Sequence, residues 1–329
     1  MIRRALSLFL LPFATAVLSA AAPVHAQQAY PHKPIKLIVP ASAGGPSDVV
    51  ARLVGEGLSR SLGQPVVVEN KVGAAQTLGT AQVAKAEPDG YTLLFTTSTP
   101  IVMAPFTRKN LPYDVRKDLV TISHVGTTPL VLYANSAVPV KSLQELVDAA
   151  KAKPGELSYG SYGNGSSAHL LGEYLSKQVG IKLIHVPYAG VSPQIAALVG
   201  GQIQFAVADI GVPAPFVKDG KLRPLAVTGS KRSSSLPEVP TFAELGVTGM
   251  EPFSPWWGLF APAGTPKAIV DKLSAETVKI VKSPEFNARF AVFGADATGM
   301  DGAASTAALN DELTRWAKIF AALPSISFE

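Results

Sequence analysis

The sequence predicts an α/β protein built from two Rossmann-like domains that are joined by two crossover segments. Its 329 residues are about twice the usual domain length. Apolar runs typical of strands alternate with helix-like spacing in two successive blocks of the chain, and the remaining segment holds too few strands for a third domain. With 47% hydrophobic and 16% charged residues, the composition excludes disorder, collagen and coiled coil.

The first block has the order β-α-β-α-β, which implies a parallel sheet with right-handed crossovers. An apolar run that stops at Pro40 predicts the first strand, and a helix with one apolar face, closed by Gly63, follows it. The predicted elements are strand 35–39, helix 49–62, strand 66–68, a short helix ending near residue 86, and strand 91–95.

The second block repeats this alternation with a different sequence. Its first helix opens with the capping box formed by Ser142 and Glu145, and Ser192 is predicted to cap a later helix that ends before Gly200. The predicted elements are strand 130–133, helix 142–151, strand 157–160, helix 166–178, strand 183–186, helix 193–199, and strands 205–208 and 225–227.

The last segment contains one predicted strand, 256–261, and helices at 266–282, 284–293 and 303–321. We expect these elements to fold back onto the first unit, because they cannot form a domain alone. The chain would then cross between the lobes near residues 125–133 and again near 253–259, and two crossings define a hinge. The predicted lobes are 27–128 plus 252–329, and 129–251.

The N-terminal 26 residues predict a secretory signal peptide. Arg3 and Arg4 precede an apolar run, 5–22, and small residues before Ala26 suit cleavage there. A membrane anchor is the alternative, but Pro12 interrupts the run, and no later stretch is long enough to span a bilayer. Removal of the two arginines lowers the formal net charge from +5 to +3, and the remaining charges are dispersed, which excludes a nucleic-acid partner.

Ligands of open α/β sheets bind beyond the carboxyl ends of the strands, where loops lead into helix N-termini. The loop after the first strand is rich in small residues there. Its glycines let a ligand approach the backbone, and free amides together with the helix dipole favour an anion. The predicted ligand contacts are Ala43, Gly44, Gly45 and Asp48, with the alternative that Asp48 only caps the first helical turn.

A second loop of this kind connects strand 157–160 to the next helix. Its spacing matches the dinucleotide fingerprint, but the acid expected about 20 residues later is absent, so a nucleotide cofactor is not predicted. Hydroxyl and amide groups here suit a carboxylate. The predicted ligand contacts are Ser161, Tyr162, Gly163, Gly165, Ser166 and His169, with the alternative that His169 is a structural residue at the helix start.

Two further loops lie at equivalent sheet edges and complete the predicted site. One carries Ser98 and Thr99 after the third strand, and the other carries Asp209 after strand 205–208, although Asp209 also suits a helix N-cap. No catalytic group, metal or cofactor is predicted. The chain has no cysteine, no H-E-x-x-H motif and no G-x-S-x-G motif. A hydrolase that uses Ser161 or Ser166 remains an alternative.

Eight short motifs carry a resemblance to a known family, and together they span nearly the whole chain after the leader. The chain resembles the extracytoplasmic solute receptors of tripartite tricarboxylate transporters, the Bug family. The motifs are Tyr30-Pro31-x-Lys33-Pro34-Ile35, Ala43-Gly44-Gly45-x-x-Asp48-x-x-Ala51-Arg52, Pro88-Asp89-Gly90-Tyr91-Thr92-Leu93, Leu111-Pro112-Tyr113-Asp114, Gly160-Ser161-x-Gly163-x-Gly165-Ser166-x-x-His169-Leu170, His185-Val186-Pro187-Tyr188, Leu236-Pro237-x-Val239-Pro240-Thr241 and Ala261-Pro262-Ala263-Gly264-Thr265-Pro266.

The resemblance implies a two-lobed periplasmic binding protein of the type II-like class. It implies that a monomer closes on a small organic carboxylate, held by backbone amides and bridging waters, and delivers it to membrane permease subunits. A receptor of the same fold that signals to a sensor protein is the alternative. The chain departs from the family pattern at Val72 and Ala75-Gln76, where the family has proline and a double glycine, at Ala189, where it has lysine, and at Tyr162, where it has a small residue.

Overall fold

The computed structural model describes residues 30–322 and contains two β-sheets with helices packed against them. The predicted signal peptide lies outside the described residues. The strands are β1 (Ile35–Val39), β2 (Val66–Asn70), β3 (Thr92–Thr97), β4 (Leu119–Thr127), β5 (Val131–Asn135), β6 (Ser158–Ser161), β7 (Ile184–Pro187), β8 (Phe205–Ala208), β9 (Leu222–Val227), β10 (Trp256–Pro262) and β11 (Asp296–Met300).

Helices alternate with these strands as the periodicity predicts. The α-helices are α1 (Pro46–Leu62), α2 (Thr77–Ala84), α3 (Ala104–Thr107), α4 (Val115–Asp118), α5 (Leu143–Ala152), α6 (Ser167–Val179), α7 (Val191–Val199), α8 (Ala214–Lys218), α9 (Lys267–Val281), α10 (Pro284–Phe290) and α11 (Gly302–Ala322). Three-residue 3₁₀ turns cover Ala74–Gln76, Glu251–Phe253 and Ala291–Phe293, and one π-helical turn covers Thr99–Met103.

Both sheets are mixed in strand direction. The first has the order β11-β4-β10-β3-β1-β2, and the second has the order β7-β6-β8-β5-β9. Strands β1, β2 and β3 are parallel, as are β6, β7 and β8, which is the arrangement that the βαβ alternation predicts. Strands β10 and β5 run antiparallel to these parallel cores and lie directly beside them, and β11 is antiparallel to β4.

The chain passes between the sheets twice, from β4 to β5 and from β9 to β10. The two crossing segments are hydrogen-bonded to each other, since the Thr128 amide donates to the Pro255 carbonyl at 2.8 Å. The Thr228 hydroxyl lies 2.8 Å from that of Ser254 and accepts from the Leu130 amide at 2.9 Å. A paired double crossing of this kind suits a hinge. The lobe boundaries given above remain a prediction.

The strand registers place the carboxyl ends of both parallel cores beside this double crossing. In the first sheet, Trp257 near the start of β10 pairs with Thr97 at the end of β3. In the second sheet, Val131 at the start of β5 pairs with Ala208 at the end of β8. The loops that follow the parallel strands of the two sheets therefore lie beside the double crossing, and the space between the two sets of loops is called the crevice below.

Several features of the fold differ from the sequence prediction, among them the short helices α3, α4 and α8, which were not predicted. Strands β4 and β11 were not predicted, because β11 has no apolar run and owes its strand conformation to pairing with β4. The N-cap of α7 is Gly190 instead of Ser192, so Pro193 lies inside the first turn, where its missing amide hydrogen costs nothing. Helix α1 begins at Pro46, three residues before the predicted start.

Buried apolar side chains form the core around both sheets, and Trp316 of α11 is fully buried against Phe253 in the second crossing segment. This contact attaches the C-terminal helix to the hinge. No helix in the range 30–322 combines the length and apolar character that a membrane span requires.

Candidate functional site

The N-terminus of α1 presents unpaired amide donors at the crevice. Gly45 is its N-cap and Pro46 its first residue, and no side chain caps it. Within residues 30–322, the amides of Ser47 and Asp48 have no hydrogen-bond acceptor. Free amides and the positive end of the helix dipole attract an anion, so this helix end suits a carboxylate. Ala43 and Gly44 are exposed on the same loop.

Asp48 holds this loop in shape through internal hydrogen bonds. Its Oδ2 accepts from the Gly44 amide at 2.9 Å and from Arg52 Nε at 3.0 Å. Its Oδ1 accepts from Arg52 Nη2 at 3.0 Å and from Asn70 Nδ2 at 2.9 Å. Burial favours the neutral acid, but the hydrogen bonds from Arg52, Gly44 and Asn70 prevail and lower the pKa of Asp48. Asp48 therefore positions the loop, whereas no side chain caps the first turn of α1.

A hinge residue contacts the same loop. Trp257 of β10 donates its indole N–H to the Ser47 hydroxyl at 2.9 Å, and its ring packs edge-on against Phe290 with centroids 5.5 Å apart. The loop is thus held by the hydrogen bonds of Asp48 and by the contact of Trp257 in β10 with Ser47. The sequence alone does not predict this hydrogen bond, because residues 47 and 257 are far apart in the chain.

Ser98 and Thr99 follow β3, beside the α1 loop. Ser98 is 1% exposed, and its hydroxyl has no hydrogen-bond partner among the described residues. The half-buried Thr99 begins the π-helical turn, with its amide on the Thr97 hydroxyl at 3.3 Å. A buried hydroxyl without a partner is costly unless a ligand or water completes it, so Ser98 suits a ligand contact.

The second predicted loop satisfies most of its own donors. Ser166 caps α6 by accepting from the His169 amide at 3.3 Å, and the Gly165 amide donates to His169 Nδ1 at 3.1 Å. The Gly163 amide donates to the Ser161 hydroxyl at 3.2 Å. The α6 N-terminus therefore offers fewer free donors than the α1 N-terminus.

The Tyr162 side chain also lies on the α6 N-terminus. Its phenol shares a short hydrogen bond with the Ser167 hydroxyl and accepts from the Ala168 amide. Burial raises the pKa of Tyr162, both hydrogen bonds oppose the rise, and the nearby charge of Asp209 adds to it. A neutral phenol thus occupies part of the helix end where a carboxylate could bind.

Asp209 lies at the end of β8, near Tyr162. Its Oδ1 accepts from the Gly211 amide at 3.1 Å, and the Val212 amide also donates to the carboxylate. Burial raises the pKa of Asp209, although these two backbone hydrogen bonds oppose the shift. The carboxylate caps the turn that precedes α8, while its position keeps it at the crevice edge.

Two histidines of the second lobe stack behind the crevice, and a serine is hydrogen-bonded to one of them. The His169 and His185 rings are nearly parallel, with centroids 3.8 Å apart. His185 Nε2 lies 2.7 Å from the Ser161 hydroxyl, which is fully buried. Burial lowers the pKa of both imidazoles to about 4, and for His185 the neighbouring His169 contributes to the shift. The pair is therefore neutral at pH 7.

This buried pair predicts that stability falls on acidification. A folded-state pKa of about 4 against 6.5 means that the unfolded chain binds more protons between these values, so protons favour unfolding there. The loss is about 3 kcal/mol per ring at most. Urea unfolding should show that the unfolding free energy declines from pH 6.5 to 4, and that this decline is smaller in the variant His185→Gln. An identical decline in that variant would contradict the prediction.

The two loop systems approach each other directly. Ile210, which follows Asp209, lies against Gly294 of the first lobe, where a Cβ on the glycine would be 2.6 Å from that of Ile210. The first-lobe loops and the second-lobe loops thus flank one crevice. Gln76 and Trp257 were not among the predicted ligand contacts, yet both lie beside it. The sequence signal for Gln76 was that it replaces a glycine of the family pattern.

The residues 30–322 contain no group of three or more histidine, aspartate or glutamate side chains placed to hold a metal ion. The donors at the crevice are backbone amides, hydroxyls and a carboxamide. This chemistry suits hydrogen bonding to an anion without covalent reaction.

Two sheets joined by a paired double crossing, with amide-bearing loops facing a shared crevice, define a two-lobed solute-binding protein. The family model of the "Tripartite tricarboxylate transporter family receptor" matches residues 50–324. The chain belongs to this family, which consists of non-enzymatic periplasmic binding proteins. The fold class and family that the motifs predicted are confirmed.

The similarity to individual relatives extends over most of the chain. Protein BugT of Bordetella pertussis is 38% identical over 300 residues, which cover 91% of each protein. The solved structure of R. palustris Rpa4515 with adipate is 31% identical, covers 88% of this chain and 97% of its own, and has a TM-score of 0.80. MatC from Rhodopseudomonas palustris with bound malate is 30% identical, covers 88% and 100%, and has a TM-score of 0.78.

Proposed function

We propose that this receptor captures a small organic carboxylate in the crevice by closure of its hinge. The uncapped α1 N-terminus carries the proposal, since it combines the free amides of Ser47 and Asp48 with the unpartnered hydroxyl of Ser98. The relatives solved with adipate and with malate support the ligand class. The remaining predicted residues, from Ser161 to His169 and Asp209, border the ligand from the second lobe or support its loops.

We further propose that the chain is exported, cleaved near Ala26, and acts as a monomer in the periplasm. There it delivers its ligand to the permease subunits of a tripartite tricarboxylate transporter. The family match supports a transporter as the partner. Transfer of the closed, loaded receptor to a permease requires that the crevice open again, and the paired hinge segments allow this motion.

The hydrolase alternative finds one suggestive contact, the 2.7 Å distance between Ser161 Oγ and His185 Nε2. Ser161 is fully buried, however, and His185 stacks against His169. His185 is therefore not arranged as the base of a base–carboxylate pair that faces the crevice. A nucleophile must reach the substrate carbonyl. This geometry supports a structural serine, in agreement with the family.

A thermal-shift scan of malate, adipate, succinate and citrate tests the ligand class. A ligand at 100 times its Kd adds about 2.7 kcal/mol to the unfolding free energy, which raises the melting temperature by roughly 4 °C for a protein of this size. We expect at least one of these acids to produce such a shift and to remain unconverted on mass spectrometry. The matching uncharged diamides serve as controls and should give no shift. Stabilisation by the diamides alone would contradict an anion site.

A further inference from the structure

Gln76 adopts a backbone conformation that suits glycine. Its φ is +73°, in the left-handed region that side chains disfavour, and the family pattern has glycine at this position. A strained non-glycine residue beside a ligand crevice indicates a role for its side chain. Gln76 is the N-cap of α2, and the hydroxyl of Thr80 within that helix donates to the Gln76 carbonyl at 2.9 Å.

The carboxamide of Gln76 is oriented by the end of β3. Its Oε1 accepts from the Thr96 hydroxyl at 3.1 Å and from the Thr97 hydroxyl at 2.9 Å. Both hydroxyls donate to this oxygen, so the carboxamide nitrogen lies on the side away from them. Within the described part of the chain, Nε2 has no acceptor, and the side chain is half-buried.

This nitrogen lies at the strand end that also carries Ser98. The Ser98 hydroxyl is buried without a partner one residue beyond Thr97. Two uncharged donors, one amide and one hydroxyl, are therefore presented at the same edge of the first sheet, next to the α1 N-terminus. Donors without partners at a ligand crevice are completed by acceptor atoms of the ligand.

We propose that Gln76 Nε2 donates a hydrogen bond to a carboxylate oxygen of the bound ligand, so that Gln76 is a specificity-determining residue of this chain. The inference rests on the proposed function. A glycine at this position offers no such donor, and so this receptor is expected to select ligands whose carboxylate reaches the end of β3. Thr96 and Thr97 act as positioning residues, since they set the direction of the amide.

The variant Gln76→Glu tests the donor separately from the fold. Glutamate keeps an acceptor oxygen for Thr96 and Thr97 but places a second carboxylate oxygen where the donor nitrogen was. The control is Gln82→Glu, which adds the same charge on the exposed face of α2. Calorimetric titration should use whichever of malate, adipate, succinate or citrate binds the unmodified protein most tightly.

We expect Gln76→Glu to weaken the binding of that acid at least tenfold and Gln82→Glu to change its affinity less than twofold. Gln76→Gly suits the backbone and removes the donor, so it should also weaken the binding of the acid. This variant replaces the glutamate variant in the test if the latter does not fold. Binding by either Gln76 variant that equals the unmodified protein overturns the inference. Failure of all four acids to bind the unmodified protein instead contradicts the proposed function.

Discussion

Gly45→Leu is expected to weaken carboxylate binding by about 100-fold or more, a loss of roughly 3 kcal/mol, while the protein keeps its fold. Gly45 has φ −76° and ψ 166°, which any residue adopts, and an added Cβ would meet only the Ser42 carbonyl, at 3.2 Å. The leucine side chain would therefore occupy the space in front of the free α1 amides, where the ligand carboxylate is proposed to bind.

The matched control is Gly200→Leu. Gly200 has φ −74°, and an added Cβ would meet the Ala196 carbonyl at the same 3.2 Å and the Ala197 carbonyl at 3.8 Å. It follows the C-terminal end of α7, at the edge of the second sheet away from the crevice. Calorimetric titration of both variants should show loss of binding in Gly45→Leu alone. Equal affinity of both variants would place the ligand elsewhere.

Asp48→Ala is expected to lower the unfolding free energy by about 3 kcal/mol. The substitution removes the acceptor of four hydrogen bonds from Gly44, Arg52 and Asn70, and it leaves the first helical turn without its acid. Because the same bonds shape the α1 loop, ligand affinity should fall as well. Urea unfolding at pH 7 measures the first effect and titration calorimetry the second.

Asp271→Ala provides the comparison for this prediction. Asp271 forms an ion pair with Lys267 at the same four-residue spacing, but both side chains are more than half exposed. Exposed pairs contribute little, so we expect a change below about 0.5 kcal/mol. If Asp48→Ala cost no more than Asp271→Ala, the proposed anchoring of the loop would be wrong.

The local features of the site follow from sequence patterns that act over a few residues. Gly45 and Pro46 define a helix start, because glycine is accepted at an N-cap and proline needs no amide partner at the first position. Ser142 caps α5 as predicted, with the Glu145 amide on the Ser142 hydroxyl at 3.2 Å, while the Glu145 carboxylate accepts from the Lys141 amide at 2.6 Å. The alternation of strands and helices also places the glycine loops at the carboxyl ends of the parallel strands.

Contacts between distant parts of the chain decided the rest. Strand β11 exists through its pairing with β4, which lies more than 160 residues earlier, so no short pattern could predict it. The stacked pair of His169 and His185 depends on the packing of α6 against β7, and the neutral state of both rings depends on burial. Burial is a property of the assembled core and cannot be read from a histidine's neighbours in sequence.

The sequence by itself determined the alternation of elements, the family and the loops that border the crevice, because helix caps, apolar periodicity and glycine turns are local properties of the chain. Only the tertiary structure decided which donors in those loops remain free. Tyr162 covers part of the α6 N-terminus, whereas the amides at the start of α1 have no acceptor among the described residues. This difference arises because a hydrogen bond depends on the positions of two groups, and the fold alone brings them within reach.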